Sequence, residues 1–162
     1  MLANVAATKE SASRYRLQKN IIAILGNDAP YKDFEKLELI VTQKFSEALI
    51  IQYSTRRGNY SNLHKRSLSD EILLRELTGC KYIFIGYREI TQSQNFYWAA
   101  AAGTHAIVSK QVLESIDVDF EIVDKWLISV NNDYEEFWII SISLDRALAM
   151  HDSVYNQFWK QL

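Results

Sequence analysis

The chain has 162 residues, 48% of them apolar, and a formal net charge of −2. Gly and Pro together number only 6 of 162, under 4%, against roughly 12% in an average soluble domain. That shortage excludes a Gly-rich phosphate cradle, and it excludes a many-stranded sandwich or barrel, which needs a turn signal roughly every 8–12 residues.

The length suits one domain of about 100–200 residues. A small, polar stretch at 1–13 is expected to form a flexible tail, with a single domain over 14–162. The stretch lacks the apolar run of a signal peptide, and no window is apolar enough to span a membrane. Cys80 is the sole cysteine, so no intrachain disulfide can form. These features point to a cytoplasmic protein.

The first helix is expected over residues 14–25. Tyr15, Leu17, Ile21, Ile22, Ile24 and Leu25 give its stripe, Ser13 its cap and Gly26 its stop. Pro30 suits the first turn of a second helix, which Phe34, Leu37, Val41 and Phe45 carry to about residue 46. Residues 48–53 read as a buried strand or as the helix continuing. A polar loop follows over 54–67. Ser67 or Ser69 caps the next helix, whose apolar face is Ile72, Leu73, Leu74 and Leu77 and whose end is Gly79.

Residues 81–87 are rich in aromatic and β-branched side chains and predict a strand. Over 96–109 the alternation around His105 favours a strand, preceded by a bulge or a short helix at the four alanines. A short helix is expected at 110–116. Phe120, Val123, Trp126, Leu127 and Val130 recur at spacings that predict a helix over 119–130. Asn131-Asn132-Asp133 reads as a turn, and Trp138, Ile140 and Ile142 alternate as a strand over 136–144. A long amphipathic helix is expected at the C-terminus, with Leu148, Val154, Tyr155, Phe158, Trp159 and Leu162 on its stripe. Helices first, then strands interleaved with helices, imply an α+β fold: a mostly antiparallel sheet of about four strands packed against several helices.

Charge is unevenly spread. Residues 1–111 hold 15 Lys/Arg and 10 Asp/Glu, a net of +5, whereas residues 112–162 hold 3 and 10, a net of −7. The basic end centres on Arg56, Arg57, Lys65 and Arg66, which lie within eleven residues free of acid, together with Tyr60 and His64. Guanidinium groups take phosphate and aromatic rings stack on bases, so this loop suits RNA or a phosphorylated ligand. The acidic end holds Asp117, Asp119, Glu121, Asp124, Glu135 and Glu136, with Tyr134 among them. Its spacing lacks the glycine and the terminal glutamate of a calcium loop. Aromatic residues set among charges are the usual makeup of a protein-binding surface.

The three histidines, His64, His105 and His151, are too far apart in sequence for a helical metal pair. Cys80, between a helix-ending glycine and a strand, reads as buried and inert. No metal or other cofactor is implied and no catalytic set stands out. The leading expectation is therefore a small intracellular binding module whose acidic, aromatic surface engages a basic protein partner. An immunity or antitoxin protein that covers a nuclease toxin has this size and charge. The alternative is an RNA- or phosphate-ligand-binding protein, RNA-processing included, using loop 54–66. An exposed aromatic stripe could also support a homodimer.

Overall fold

The computed structural model describes residues 20–66, 68–88, 94–115 and 120–142. Its strands are β1 (Ile21–Leu25), β2 (Leu49–Tyr53), β3 (Leu63–Lys65), β4 (Tyr82–Ile85), β5 (His105–Ser109), β6 (Glu121–Val130) and β7 (Asp133–Ser141). Its helices are α1 (Phe34–Lys44), α2 (Asp70–Thr78), α3 (Gln94–Ala102) and α4 (Lys110–Ser115), with a 3-10 turn at Pro30–Lys32. One seven-stranded sheet runs in the order β3-β2-β1-β4-β5-β7-β6. The pairs among β3, β2, β1, β4 and β5 are parallel, and β7 runs antiparallel to both β5 and β6.

This is a doubly wound, Rossmann-like α/β fold, and it overturns the four-stranded antiparallel α+β expectation. The reason lies in the central strands. Ile22, Ala23 and Ile24 are consecutive and all fully buried, as are Ile83, Phe84 and Ile85. Successive strand residues point to opposite faces, so both faces of the sheet are covered. Continuous apolar runs of this kind mark buried parallel strands, whereas a one-sided antiparallel sheet alternates. Right-handed crossovers then place α1 on one face, and α2 with α3 on the other, because the chain reverses direction between β1 and β4.

Two helix assignments change with it, and the open choice at the alanine run is decided. Residues 21–25 are a strand, because the β-branched run Ile21, Ile22, Ile24 sits at the sheet centre and Gly26 turns the chain at φ 84°. Residues 121–130 are a strand, not a helix. Asn131 and Asn132 adopt φ 48° and 65°, the left-handed pair of a two-residue hairpin, which folds 121–130 back onto β7. The alanine run is helix α3, and Gly103, at φ 68°, ends it before β5 instead of bulging a strand.

Other elements match their patterns. Helix α1 buries Phe34, Leu37 and Ile40. In α2, the Ser69 hydroxyl accepts the Ile72 N–H as an N-cap, and Leu74 and Leu77 are buried. Residues 49–53 are a strand. The expected tail at 1–13 and the long C-terminal helix lie outside the described residues. Among the described residues no helix is long and apolar enough to cross a membrane.

Candidate functional site

In open α/β sheets the ligand crevice lies beyond the carboxyl ends of the strands, where the strand order reverses. Here that point is between β1 and β4. The turn after β1 has one glycine, Gly26, whose N–H donates to Tyr53 O at 2.9 Å. Directly over it lies Lys32. Its Nζ donates to Leu25 O at 3.1 Å and to Asn27 O at 2.7 Å. The side chain is buried, and burial lowers the ammonium pKa. A Cβ on Gly26 would lie 2.5 Å from that Nζ. The chain's own cation thus occupies the place where a dinucleotide fold presents bare N–H groups to phosphate.

The loops after β1 and β2 are clamped together by polar side chains. Gln52 is fully buried. Its Nε2 donates to Gly26 O at 3.0 Å and to Asp28 Oδ1 at 2.9 Å, and its Oε1 accepts from Gly58 N–H at 2.9 Å. The other Asp28 oxygen accepts from Asn59 N–H at 3.0 Å. Asn27 Oδ1 accepts from Arg56 N–H at 3.0 Å. A Cβ on Gly58 would collide with Asp28 and Gln52, which is why this position takes glycine.

Asp33 precedes α1 with φ 53° and ψ 45°. That left-handed conformation costs a non-glycine residue about 1–2 kcal/mol. Its carboxylate, only 2% exposed, lies 3.2 Å from Lys36 Nζ and 3.2 Å from Arg88 Nε. Lys36 in turn pairs with Glu135 of β7 at 2.5 Å. Burial alone would lower the Lys36 ammonium pKa. Its bonds to Glu135 and Asp33 outweigh that and leave it raised. The chain Arg88–Asp33–Lys36–Glu135 therefore ties the loop after β4 to α1 and to the hairpin.

These elements enclose an open groove of about 500 Å³, lined by Asp28, Ala29, Pro30, Asp33, Phe34, Glu35, Asn59, Tyr60 and Arg88. Three carboxylates face one guanidinium, a formal −2. Phe34 and Tyr60 meet edge to face at 6.1 Å and form an aromatic wall. Asp33 and Glu35 stand at the start of α1, so the helix end that would attract an anion is already filled by acids.

A smaller pocket of about 220 Å³ opens beside Tyr53, Ser54, Thr55 and Lys65. Next to it the Tyr53 hydroxyl donates to Glu76 Oε2 at 3.3 Å, and Lys65 Nζ lies 2.6 Å from the same oxygen. Cys80 is buried against Tyr53, and burial pushes its thiol up to about 11. It is therefore protonated near neutrality and not a nucleophile.

The residues singled out in the basic loop divide. His64 Nε2 lies 3.1 Å from both Ser54 O and Ser54 Oγ, and Lys65 is held by Glu76. Arg56, Arg57 and Arg66 are exposed, and among the described residues they enter no ion pair. The acidic set divides too. Directly opposed residues share a sheet face. The pairing of Leu127 with Glu136 and of Ser129 with Tyr134 puts Tyr134 and Glu136 on one face of the hairpin. Glu121, Asp124 and Glu135 fall on the other, with Glu135 already held by Lys36. Asp117 and Asp119 lie outside the described residues. The basic and acidic regions are not neighbours. From β2 to β6 is five strand spacings, about 24 Å.

The groove residues Asp28, Asp33, Glu35, Tyr60 and Arg88 were not legible as a site. The available signal was the residue following each apolar run, since parallel strands deliver all those ends to one edge. Among the described residues no group of three or more His, Cys, Asp or Glu is placed to hold a metal ion.

No family model matches the chain, and no curated protein matches it. A solved structure, the crystal structure of TrmN from Thermus thermophilus, is similar at TM-score 0.34 and 7% identity. The likeness covers 83% of this chain and 48% of that one, so this chain spans about half the length of its structural neighbour. At that score it supports no inference, and the fold class rests on the strand order.

Proposed function

We propose that this is a cytoplasmic protein-binding domain that engages a basic partner through an acidic groove at the carboxyl edge of its central strands. The observation that carries the reading is the groove: formal −2, aromatic on one side, and joined through Lys36 to Glu135 near the tip of the β6–β7 hairpin. A lysine or arginine side chain entering it meets carboxylates and the Tyr60 ring, the two features that favour a cation. The exposed Tyr134 at the hairpin tip extends the surface along the same edge of the sheet. A nuclease toxin, whose nucleic-acid site is basic, is one partner of this chemistry.

The test uses peptide probes on the whole chain. A Lys/Arg-rich peptide is expected to bind with salt-sensitive affinity and a Glu-rich peptide of equal length not to bind. Glu35→Lys with Tyr60→Ala should weaken the basic peptide about ten-fold or more. Equal binding of both peptides, or no effect of the double variant, would refute the reading.

A second reading is favoured by one observation. Arg56, Arg57 and Arg66 project from loops beside the carboxyl ends of β2 and β3, where they can meet phosphate. It expects single-stranded RNA to be retained on a filter at low salt, and the retention to be lost when all three become alanine. No retention of RNA by the unaltered protein removes it.

A further inference from the structure

Strand β6 is the last strand of the sheet, and among the described residues it pairs only with β7. A sheet edge offers unpaired N–H and C=O groups to any second strand, and native proteins protect such edges. Which groups of β6 face outward follows from the turn. A two-residue hairpin makes Val130 and Asp133 a hydrogen-bonded pair, so Ile128–Glu135 and Trp126–Phe137 also exchange bonds. The intervening residues Lys125, Leu127 and Ser129 turn their backbone groups away from β7. Both ends of this row are occupied. At one end Ser129 N–H donates to Gln43 Oε1 at 2.8 Å, and Ser129 O accepts from Gln43 Nε2 at 2.9 Å. A side-chain amide carries a donor and an acceptor side by side, as a strand residue does. Gln43, in the last turn of α1, therefore makes both bonds that a residue of an eighth strand would make. At the other end Lys125 N–H donates to Asp124 Oδ1 at 2.8 Å, next to the register shift between Ile122 and Asp124. Leu127, 62% exposed, lies between these positions.

We infer that Gln43 is an edge cap that keeps β6 from pairing with a second copy of this chain, and that the edge beneath it is a self-pairing surface. The inference is independent of the basic-partner reading. An antiparallel pair with its two-fold axis at Leu127 sets Leu127 opposite itself, Trp126 opposite Ile128, Lys125 opposite Ser129 and Asp124 opposite Val130. No like charges are opposed, so the side chains do not forbid the pairing. The nearby cations Lys44 and Lys125 stand over the rings of Trp126 and Trp138 of their own chain, each at 5.6 Å. At the axis each Leu127 would exchange both backbone bonds with its copy, and the two exposed side chains would meet. The Lys125–Ser129 pairs on either side are the next to form, and each needs the Ser129 groups that Gln43 holds. With Gln43 in place the shared ladder stops at the Leu127 pair. A single pair does not offset the freedom that two chains lose on association.

The test is light-scattering mass on the whole chain from about 10 μM to about 1 mM, with amide exchange at Leu127 and Ser129. The unaltered protein is expected to keep the mass of one chain throughout, with Ser129 protected and Leu127 exchanging freely. Gln43→Ala should speed Ser129 exchange in dilute solution by about ten-fold or more. Its mass should then move towards two chains as concentration rises, with exchange at Leu127 slowing in step. Gln43→Met keeps the length of the side chain without the amide and should behave in the same way, so it decides the matter if the alanine variant does not fold. Leu127→Lys added to either variant sets two ammonium groups opposite each other at the axis and should return the mass to one chain. Variants of Gln43 that fold and stay single at the highest concentration overturn the inference. So does an unaltered protein that already pairs with slowed Leu127 exchange. Association that Leu127→Lys does not reverse also overturns it, because the contact then lies elsewhere.

Discussion

Replacing Gly86 with alanine is expected to destabilise the protein by about 1–3 kcal/mol. Gly86 follows β4, and a Cβ there would lie 2.5 and 2.6 Å from two ring carbons of Phe84 and 3.0 Å from the ring of Phe137. Both rings are fully buried. Interior side chains are close-packed in single rotamers, so neither ring can move aside without displacing its own neighbours. Gly79 is the control. It ends α2 with φ −83°, and an added Cβ meets nothing nearer than the Glu76 carbonyl at 3.4 Å. Gly79→Ala should stay within about 0.5 kcal/mol of the parent. Urea denaturation of the two variants decides it. Equal midpoints would show that the Phe84–Phe137 contact yields.

The second large effect is loss of stability in alkali. Burial raises the Cys80 thiol from its ordinary 9.0 to about 11. The folded chain keeps this proton where the unfolded chain loses it. The stabilisation is therefore complete below pH 9.0 and lost as pH rises towards 11. Two pKa units correspond to roughly 2–3 kcal/mol. Burial also raises the phenols of Tyr53 and Tyr87 well above 10.0, with the same sign from pH 10 upward. Lys32 acts in the opposite sense. Its ammonium is lowered by burial, so its contribution improves as pH rises through the region below 10.5, a partial offset. The melting temperature is expected to begin falling above about pH 9 in the parent and above about pH 10 in Cys80→Ala. A melting temperature that is flat from pH 8 to 11, or identical onsets in the two proteins, would contradict this account.

The scarcity of glycine bears on both the fold and the site. It correctly excluded a Gly-rich cradle, and the turn after β1 has Gly26 alone with Lys32 closed over it. It did not exclude a Rossmann-like sheet, because this chain turns with other residues. Asp33, Asn131 and Asn132 all adopt positive φ, and only Gly26 and Gly103 do so among the glycines. Asn and Asp tolerate that region through short polar side chains, so a count of glycines understates the number of tight turns.

Agreement of a cap, a stop and a stripe was not sufficient: Ser13, Gly26 and the stripe ending at Leu25 met all three, yet residues 21–25 are a strand. The Ser69 cap, the apolar faces of α1 and α2, and the strand over residues 49–53 followed from side-chain chemistry that acts within a few residues. The helix expected over 119–130 failed because Trp126, Leu127 and Val130 fit either period. Pairing with β7 then selected the strand, with Ile128 buried and Leu127 outside. Short apolar runs such as 21–25 carry the same ambiguity.

Composition and local pattern therefore settled a single-cysteine, apolar-rich chain, the helix capped at Ser69 and the polarity of its charge. Only the tertiary structure decided which way the strands run and what their ends bring together. Asp28, Asp33, Glu35, Tyr60 and Arg88 come from three separate loops and meet because parallel strands deliver their carboxyl ends to one edge. The acidic segment, continuous in sequence, is divided between two faces because a strand alternates its side chains. Its separation from the basic loop is likewise a matter of strand order, since a sheet can place any two segments side by side or at opposite edges without a change in either one's local sequence.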